Sequence, residues 1–260
     1  MDSKLCALCP FIQTEPASVS GNGWTAYHGD SREVLRRLPP NSIDILASDP
    51  PYGTGANSTA GRLKSTSEKY RSTGATPLPD FDGDSLLPEA WETMMNEVLR
   101  LSFKALKPGA NVILFCDWRS YPGFFKLVSS NGFIMRAVPT WDKGRGSRPM
   151  KNGFRSQSEW MIWAKKPGKL ESNTEPVYLD GVLKFSTLSN KKVHITQKPV
   201  PLMKELLRIA PPGGTVLDPF QGSGTTGVAA QEMGLTYIGI ESTSAYHAIA
   251  CERLSNSLAA

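Results

Sequence analysis

Between residues 215 and 241 an apolar segment, Thr-Val-Leu-Asp-Pro-Phe, runs into a glycine-rich turn, a helical stretch closed by Gly234 and a second apolar segment, Thr-Tyr-Ile-Gly-Ile-Glu. Two strands joined through a helix lie parallel, and parallel strands hide both faces, so this unit commits the chain to layered α/β structure. The same alternation opens the chain. A strand over 24–29 is followed by a helix from Ser31 that ends at Pro39-Pro40, then by the buried strand Ile43–Ser48. Helical spacing from Pro88 to Leu106 stops at Lys107-Pro108-Gly109, ahead of a strand over 111–117. A helix near 121–130, strands at 133–140 and 159–164, a helix over 201–210 and a final helix at 244–257 complete the series. The pattern predicts an arm over 1–23 and one α/β domain over 24–260, with a mostly parallel, doubly wound sheet.

At 260 residues the chain is long enough for such a core, and its apolar fraction of 40% excludes wholesale disorder. No stretch of about 18 apolar residues suggests a membrane span. The N-terminal Met-Asp-Ser-Lys-Leu-Cys has no basic leader, so a cytoplasmic protein is expected. Cys116 and Cys251 read as buried free thiols. Cys6 and Cys9 form a Cys-x-x-Cys pair, but nothing nearby completes the four ligands of a structural zinc site, so no metal is expected.

The net charge of +5 is mild but unevenly placed. Over 141–169, eight basic residues (Lys143, Arg145, Arg148, Lys151, Arg155, Lys165, Lys166 and Lys169) stand against Asp142 and Glu159, a surplus of six. The first fifty residues instead carry an acidic excess of two. A concentrated basic loop suits phosphate contacts, which give salt-dependent affinity without reading sequence. The Gly-, Ser- and Thr-rich segment 53–83 is long for a loop inside a domain, a sign of a functional or disordered segment.

Two motifs carry chemistry. The glycines of Gly222-Ser223-Gly224-Thr225-Thr226-Gly227 let a ligand approach the backbone at a helix start, and Glu241 ends the next strand, where an acid can accept from ribose hydroxyls. That much suits NAD or S-adenosylmethionine. The carboxylate of Asp218, with Pro219 and Phe220 at the same turn, would repel a pyrophosphate but accept a cationic methionine tail. The second motif, Asp49-Pro50-Pro51-Tyr52, ends a predicted parallel strand. Its prolines lack N–H donors, so the turn offers acceptors to an exocyclic amino group, and Tyr52 offers a face on which a base can stack.

With His194-x-Thr196-Gln197-Lys198-Pro199, these elements make the chain resemble the amino-methylating DNA methyltransferases, which modify adenine N6 or cytosine N4. The catalytic motif precedes the cofactor loop, as in the permuted β arrangement of that family. The resemblance spans about residues 24–254 and implies a Rossmann-like fold, S-adenosylmethionine as cofactor and double-stranded DNA as partner. It implies that Asp49 and the Pro50 carbonyl hold the target amino group, with Pro51 stiffening the turn and Tyr52 stacking on a flipped base. Phe220, Gly222 and Gly224 would shape the cofactor pocket, with Asp218, Pro219, Ser223, Thr225 and Thr226 in the same loop. Glu241 would bind the ribose, and Thr196 and Lys198 would approach the methionine end. Asp30 matches the family's adenine contact but also opens an Asp-x-x-Glu helix cap with Glu33, and the two roles are compatible.

No separate block remains for target recognition, which is expected from loops near 53–83, 142–158 and 170–192 or from a dimer partner. Arg145, Arg148, Lys151 and Arg155 are the expected DNA contacts. The leading Asp of the tetrapeptide leans towards adenine, since cytosine-N4 relatives more often carry Ser there. The alternatives are the same chemistry on cytosine N4 or RNA, and an NAD-dependent oxidoreductase, which would leave Asp49–Tyr52 and the basic loop unused.

Overall fold

The structure is a computed structural model that describes residues 16–53, 86–146, 149, 151–170, 175–187 and 197–257. In chain order the elements are β1 (Ala17–Gly21), β2 (Trp24–His28), α1 (Ser31–Arg37), β3 (Ile43–Ser48), α2 (Pro88–Ala105), β4 (Leu106–Cys116), α3 (Tyr121–Ser130), β5 (Ile134–Ala137) and β6 (Thr140–Asp142). There follow β7 (Ser158–Lys165), β8 (Val182–Lys184), α4 (Val200–Leu207), β9 (Thr215–Asp218), α5 (Thr225–Glu232), β10 (Thr236–Glu241) and α6 (Ser244–Asn256). The loop expected at 53–83 lies, beyond Gly53, outside the described residues, as do Cys6, Cys9, Arg148, His194 and Thr196.

Among the described residues the strands form one sheet in the order β1-β2-β10-β9-β3-β4-β7-β6-β8, with β5 also paired to β7. From β2 to β4 every pairing is parallel. Beyond β4 the sheet reverses: β7 lies antiparallel to β4, and both β5 and β6 lie antiparallel to β7. The strand expected over 133–140 is in fact the two short strands β5 and β6, separated at Val138-Pro139, where proline lacks a ladder donor. Two further strands have no counterpart in the sequence pattern. Within the expected arm, β1 pairs antiparallel with β2 across an Asn22-Gly23 turn, and Gly23 has a φ of 76°, a conformation that favours glycine. Within the polar stretch 170–192, β8 pairs parallel with β6.

Strand alternation sorts the core into two layers. Val112, Leu114 and Cys116 of β4 face the layer built with α1, α2 and α3. Ile113 and Phe115 face the layer built with α4, α5 and α6. Cys116 is buried as expected, whereas Cys251 is half-buried, with Sγ 3.6 Å from His247 Nε2. At the edge where the parallel strands begin, the buried Asp44 carboxylate accepts from Lys107 Nζ at 2.7 Å and from the Thr215 amide at 2.9 Å, tying the starts of β3, β4 and β9.

Gly227 shows how closely the helices pack on this sheet. A methyl group there would lie 2.6 Å from the fully buried Tyr237 ring and 2.6 Å from Leu254 Cδ2. Gly227→Ala is therefore expected to destabilise the fold by about 1–3 kcal/mol, seen as a thermal midpoint several degrees lower, despite alanine's better helix propensity.

Candidate active site

The two chemical motifs end neighbouring strands. Asp49 directly follows β3, Asp218 ends β9, and β3 and β9 pair in parallel. From β3 the chain continues outward to β4, whereas from β9 it continues in the other direction to β10. The crevice between them is thus a topological switch point, where open α/β sheets bind ligands beyond the carboxyl ends of their strands. One hydrogen bond joins the motifs: Ser48 Oγ donates to Asp218 Oδ1 at 2.6 Å.

The loop after β9 is a preformed cradle. Gly222 and Gly224 have φ of 51° and 77°, conformations that favour glycine. Asp218, 2% exposed, also accepts from the Phe220 amide at 3.1 Å. Burial pushes its carboxyl up to about 6, against the pull of Ser48, Thr226 and the Phe220 amide. Thr225 and Thr226 are buried at the start of α5, and Arg253 of α6 donates to Ser223 Oγ at 3.1 Å and Thr225 Oγ1 at 3.2 Å. The Pro219 carbonyl accepts from Ser31 Oγ at 2.5 Å, linking this loop to the start of α1.

Glu241, at the end of β10, accepts from the Gly222 amide at 3.0 Å and the Thr243 amide at 2.8 Å. Burial holds its carboxyl above the usual range even with these donors. Asp30 is the N-cap of α1: its carboxylate accepts from the Arg32 amide at 2.7 Å and pairs with the Arg32 guanidinium, which holds it below the usual carboxylate range. Gly29, beside Asp30, donates its amide to the Glu241 carbonyl at 2.9 Å, so Asp30 and Glu241 stand on adjacent strand ends. The Glu241 carboxylate, a glycine turn and the buried Asp218 carboxylate within one crevice form a donor and acceptor set that fits an adenosyl ligand.

On the other side of the crevice, Asp49 is half-buried and engaged through both oxygens. Oδ1 accepts from the Tyr52 hydroxyl at 2.5 Å, and Oδ2 is paired with Lys198 Nζ. The Lys198 ammonium also lies 3.0 Å from Glu159 Oε1, and the Tyr52 hydroxyl lies 2.8 Å from the same oxygen. Lys198 is 7% exposed, and its ammonium sits 4.9 Å from the centre of the Phe115 ring, a cation–π distance. The Pro51 carbonyl accepts from the Trp91 indole at 2.6 Å, which anchors the proline turn on α2.

These four side chains set one another's charge. Burial opposes the Lys198 cation, yet Asp49 and Glu159 together hold its ammonium above the usual lysine range. Burial raises the Asp49 carboxyl, Lys198 pulls it down and the Glu159 anion pushes it up, and the net direction is upward. Burial also opposes Glu159, but Lys198 and Lys143 hold it below the usual range. In the sequence Glu159 stands only as one acid in a basic segment. Its β7 position brings it to Tyr52 only because β7 reverses against β4, so no local motif announces it.

The basic segment lies at the same edge. Because β6 runs antiparallel to β7, and β7 antiparallel to β4, the connection 143–157 emerges beside the ends of β3 and β4. Asp142 Oδ1 braces it, accepting from the Gly144 amide at 2.8 Å and Gln157 Nε2 at 3.2 Å, and Arg155 donates to the Arg145 carbonyl at 2.9 Å. Arg145 and Lys151 are exposed, and the Phe154 ring beside them is 94% exposed. The described start of the third expected loop behaves differently. Glu175, Pro176 and Val177 line a groove with Lys165, Arg208 and Pro211 at the opposite edge of the sheet.

The chain is similar to known DNA methyltransferases in sequence and in fold. The chain is 28% identical over 249 residues to the type II methyltransferase M2.DpnII of Streptococcus pneumoniae, covering 87% of this chain and 88% of that protein. The crystal structure of the M1.HpyAVI-SAM complex superposes with a TM-score of 0.63 at 23% identity, covering 89% of this chain and 98% of the other. The cytosine-N4-specific PvuII DNA methyltransferase shares the fold with a TM-score of 0.63 at 17% identity, covering 89% and 86%. No helix among the described residues is long and apolar enough to cross a membrane. The family model for N6/N4 DNA methylases matches residues 43–252, from β3 through α6, and the chain belongs to that family of DNA methyltransferases.

Proposed function

We propose that the protein transfers a methyl group from S-adenosylmethionine to the exocyclic N6 of adenine in double-stranded DNA, by direct attack of the amino group of a flipped base. The observation that carries this reading is the junction of the two motifs: Asp49 and Asp218 end adjacent parallel strands, with Ser48 bonded to Asp218 across the switch point. An amino group held at Asp49 then faces a ligand seated over Phe220–Gly224. The aspartate at the head of the tetrapeptide favours adenine over cytosine.

In this reading Asp49 and the Pro50 carbonyl accept the hydrogens of the target amino group, which draws its lone pair out of the ring and towards the cofactor. Pro51, fixed on Trp91, keeps that turn rigid. Tyr52 supplies a stacking face. The cofactor supplies a methyl group on a cationic sulfur, so the remaining work is positioning and electrostatics. Glu241 accepts from the ribose hydroxyls, and Asp30 contacts the adenine ring while still capping α1. Gly222, Ser223 and Gly224 give close backbone approach. Asp218, Pro219, Phe220, Thr225 and Thr226 form the pocket floor and wall, and Thr196 and Lys198 are assigned to its methionine end.

Recognition of DNA is assigned to the connection 143–157, through Arg145, Arg148, Lys151 and Arg155, with Phe154 as an exposed apolar contact among them. The segment 53–83 and the part of 170–192 that follows β8 are the other assigned loops, and a second copy of the chain would add to them.

Transfer of labelled methyl from S-adenosylmethionine to unmethylated duplex DNA, followed by nucleoside analysis, tests the reading. N6-methyladenine is the expected product, and N4-methylcytosine would replace the base assignment. Asp49→Ala should lower kcat by at least about 100-fold while calorimetric affinity for S-adenosylmethionine stays within about twofold. Arg145→Ala combined with Lys151→Ala should weaken binding to duplexes of any sequence. The slope of log affinity against log salt should fall by about one for each phosphate that the double variant no longer neutralises.

A further inference from the structure

We propose that Glu159 is a positioning residue for methyl transfer: it is the second anchor to which Lys198 and the Tyr52 hydroxyl pass when the Asp49 carboxylate turns to the target amino group. The inference rests on the function proposed above and extends it to a residue outside the tetrapeptide and the cofactor loop.

Competition between donors, together with burial, motivates this role. Both Asp49 oxygens are taken, one by Tyr52 and one by Lys198. Each oxygen keeps a second lone pair, but while it holds Tyr52 or Lys198 it is a weaker acceptor for an amino hydrogen from a base in the same pocket, so the substrate bond strengthens when one of these donors yields. Lys198 cannot retire to water, because at 7% exposure an unpaired ammonium would be strongly disfavoured. Glu159 Oε1 is already within 3.0 Å of it and within 2.8 Å of the Tyr52 hydroxyl, so both donors can shift from Asp49 to Glu159 with little movement. Tyr52 has one hydroxyl hydrogen between two carboxylates and satisfies either one fully, but not both. With that hydrogen on Glu159, the tyrosine ring stays oriented while Asp49 becomes an acceptor for substrate. Lys143, 3.5 Å from Glu159 Oε2, holds the anchor from its other side.

The charged and titratable groups around Glu159 come from four parts of the fold. Asp49 and Tyr52 follow β3, Cys116 ends β4 with Asp117 acting on it, Lys143 follows β6, and Lys198 precedes α4. Lys198 and Lys143 stabilise the Glu159 anion. That anion in turn pushes the Asp49 carboxyl and the Lys198 ammonium upward. Replacing it by an amide of the same shape should therefore lower both.

Glu159→Gln is tested beside wild type, Glu159→Asp and Asp49→Ala by methyl transfer over a pH series, with cofactor affinity and circular dichroism as controls for folding. A fall in kcat of about 10- to 100-fold is expected, larger than any change in cofactor affinity, since Lys198 keeps Asp49 as a partner. Both limbs of the pH profile should move to lower pH: the acid limb because Asp49 ionises more readily, the alkaline limb because Lys198 loses one of its two anions. Glu159→Asp, which keeps the charge, should return both limbs towards their wild-type positions. A carbon NMR titration of the Asp49 carboxyl in Glu159→Gln should show the same downward shift without turnover. Wild-type kcat with unmoved limbs and an unmoved Asp49 titration in Glu159→Gln would overturn the positioning role alone. Absence of methyl transfer by the wild-type protein would overturn the function it rests on.

Discussion

The buried ammonium of Lys198 organises the edge of the sheet at which Asp49 stands. A cation removed from water is tolerated only when paired, and here two carboxylates and an aromatic face surround it. Those partners come from positions 49, 159 and 115, so one ion binds the ends of β3 and β4, the start of β7 and the entry to α4. Removing either carboxylate would leave the buried ammonium with one anionic partner in place of two. The arrangement fixes Asp49 relative to the sheet more firmly than its own loop could, because the prolines beside it contribute no amide donors.

A second, shorter link joins that fixed carboxylate to the glycine-rich loop. The strands β3 and β9 are separated by about two-thirds of the chain, yet they pair directly, and Ser48 reaches Asp218 across the pair. Parallel topology places both strand ends at one edge, and the reversal of chain direction between them opens a crevice there. The burial that raises the Asp218 carboxyl and the backbone donors that hold Glu241 belong to a loop shaped before any ligand arrives. Preorganisation of this kind suits a transfer reaction that depends on alignment rather than on a covalent enzyme intermediate.

Much of this was legible in the residues. β2, α1, β3, α2, β9, α5 and β10 follow from apolar periodicity and from glycine and proline punctuation, since each is long or regular enough for local physics to decide. Asp30 as a helix cap is equally local, a carboxylate two residues from the amide it accepts. The short strands were not legible. β1 and β8 are largely exposed, without the buried apolar run that marks β2 and β9, and they exist because β2 and β6 offer unpaired edges. The split between β5 and β6 follows from a proline whose effect depends on the neighbouring strand.

The sequence by itself determined the chemistry on offer: an acceptor-rich turn at Asp49–Tyr52, a glycine cradle after Asp218, and cations concentrated over 141–169. These are properties of residue type and spacing, which persist whatever the chain packs against. Only the tertiary structure decided which groups share a pocket. Antiparallel pairing of β7 with β4 delivers Glu159 to Tyr52 and Lys198, and the same reversal carries the 143–157 connection to the edge at which Asp49 stands. Strand pairing is a contest among distant edges with no local signal, so a glutamate that looks like surface charge in the sequence becomes the partner of a buried lysine in the fold.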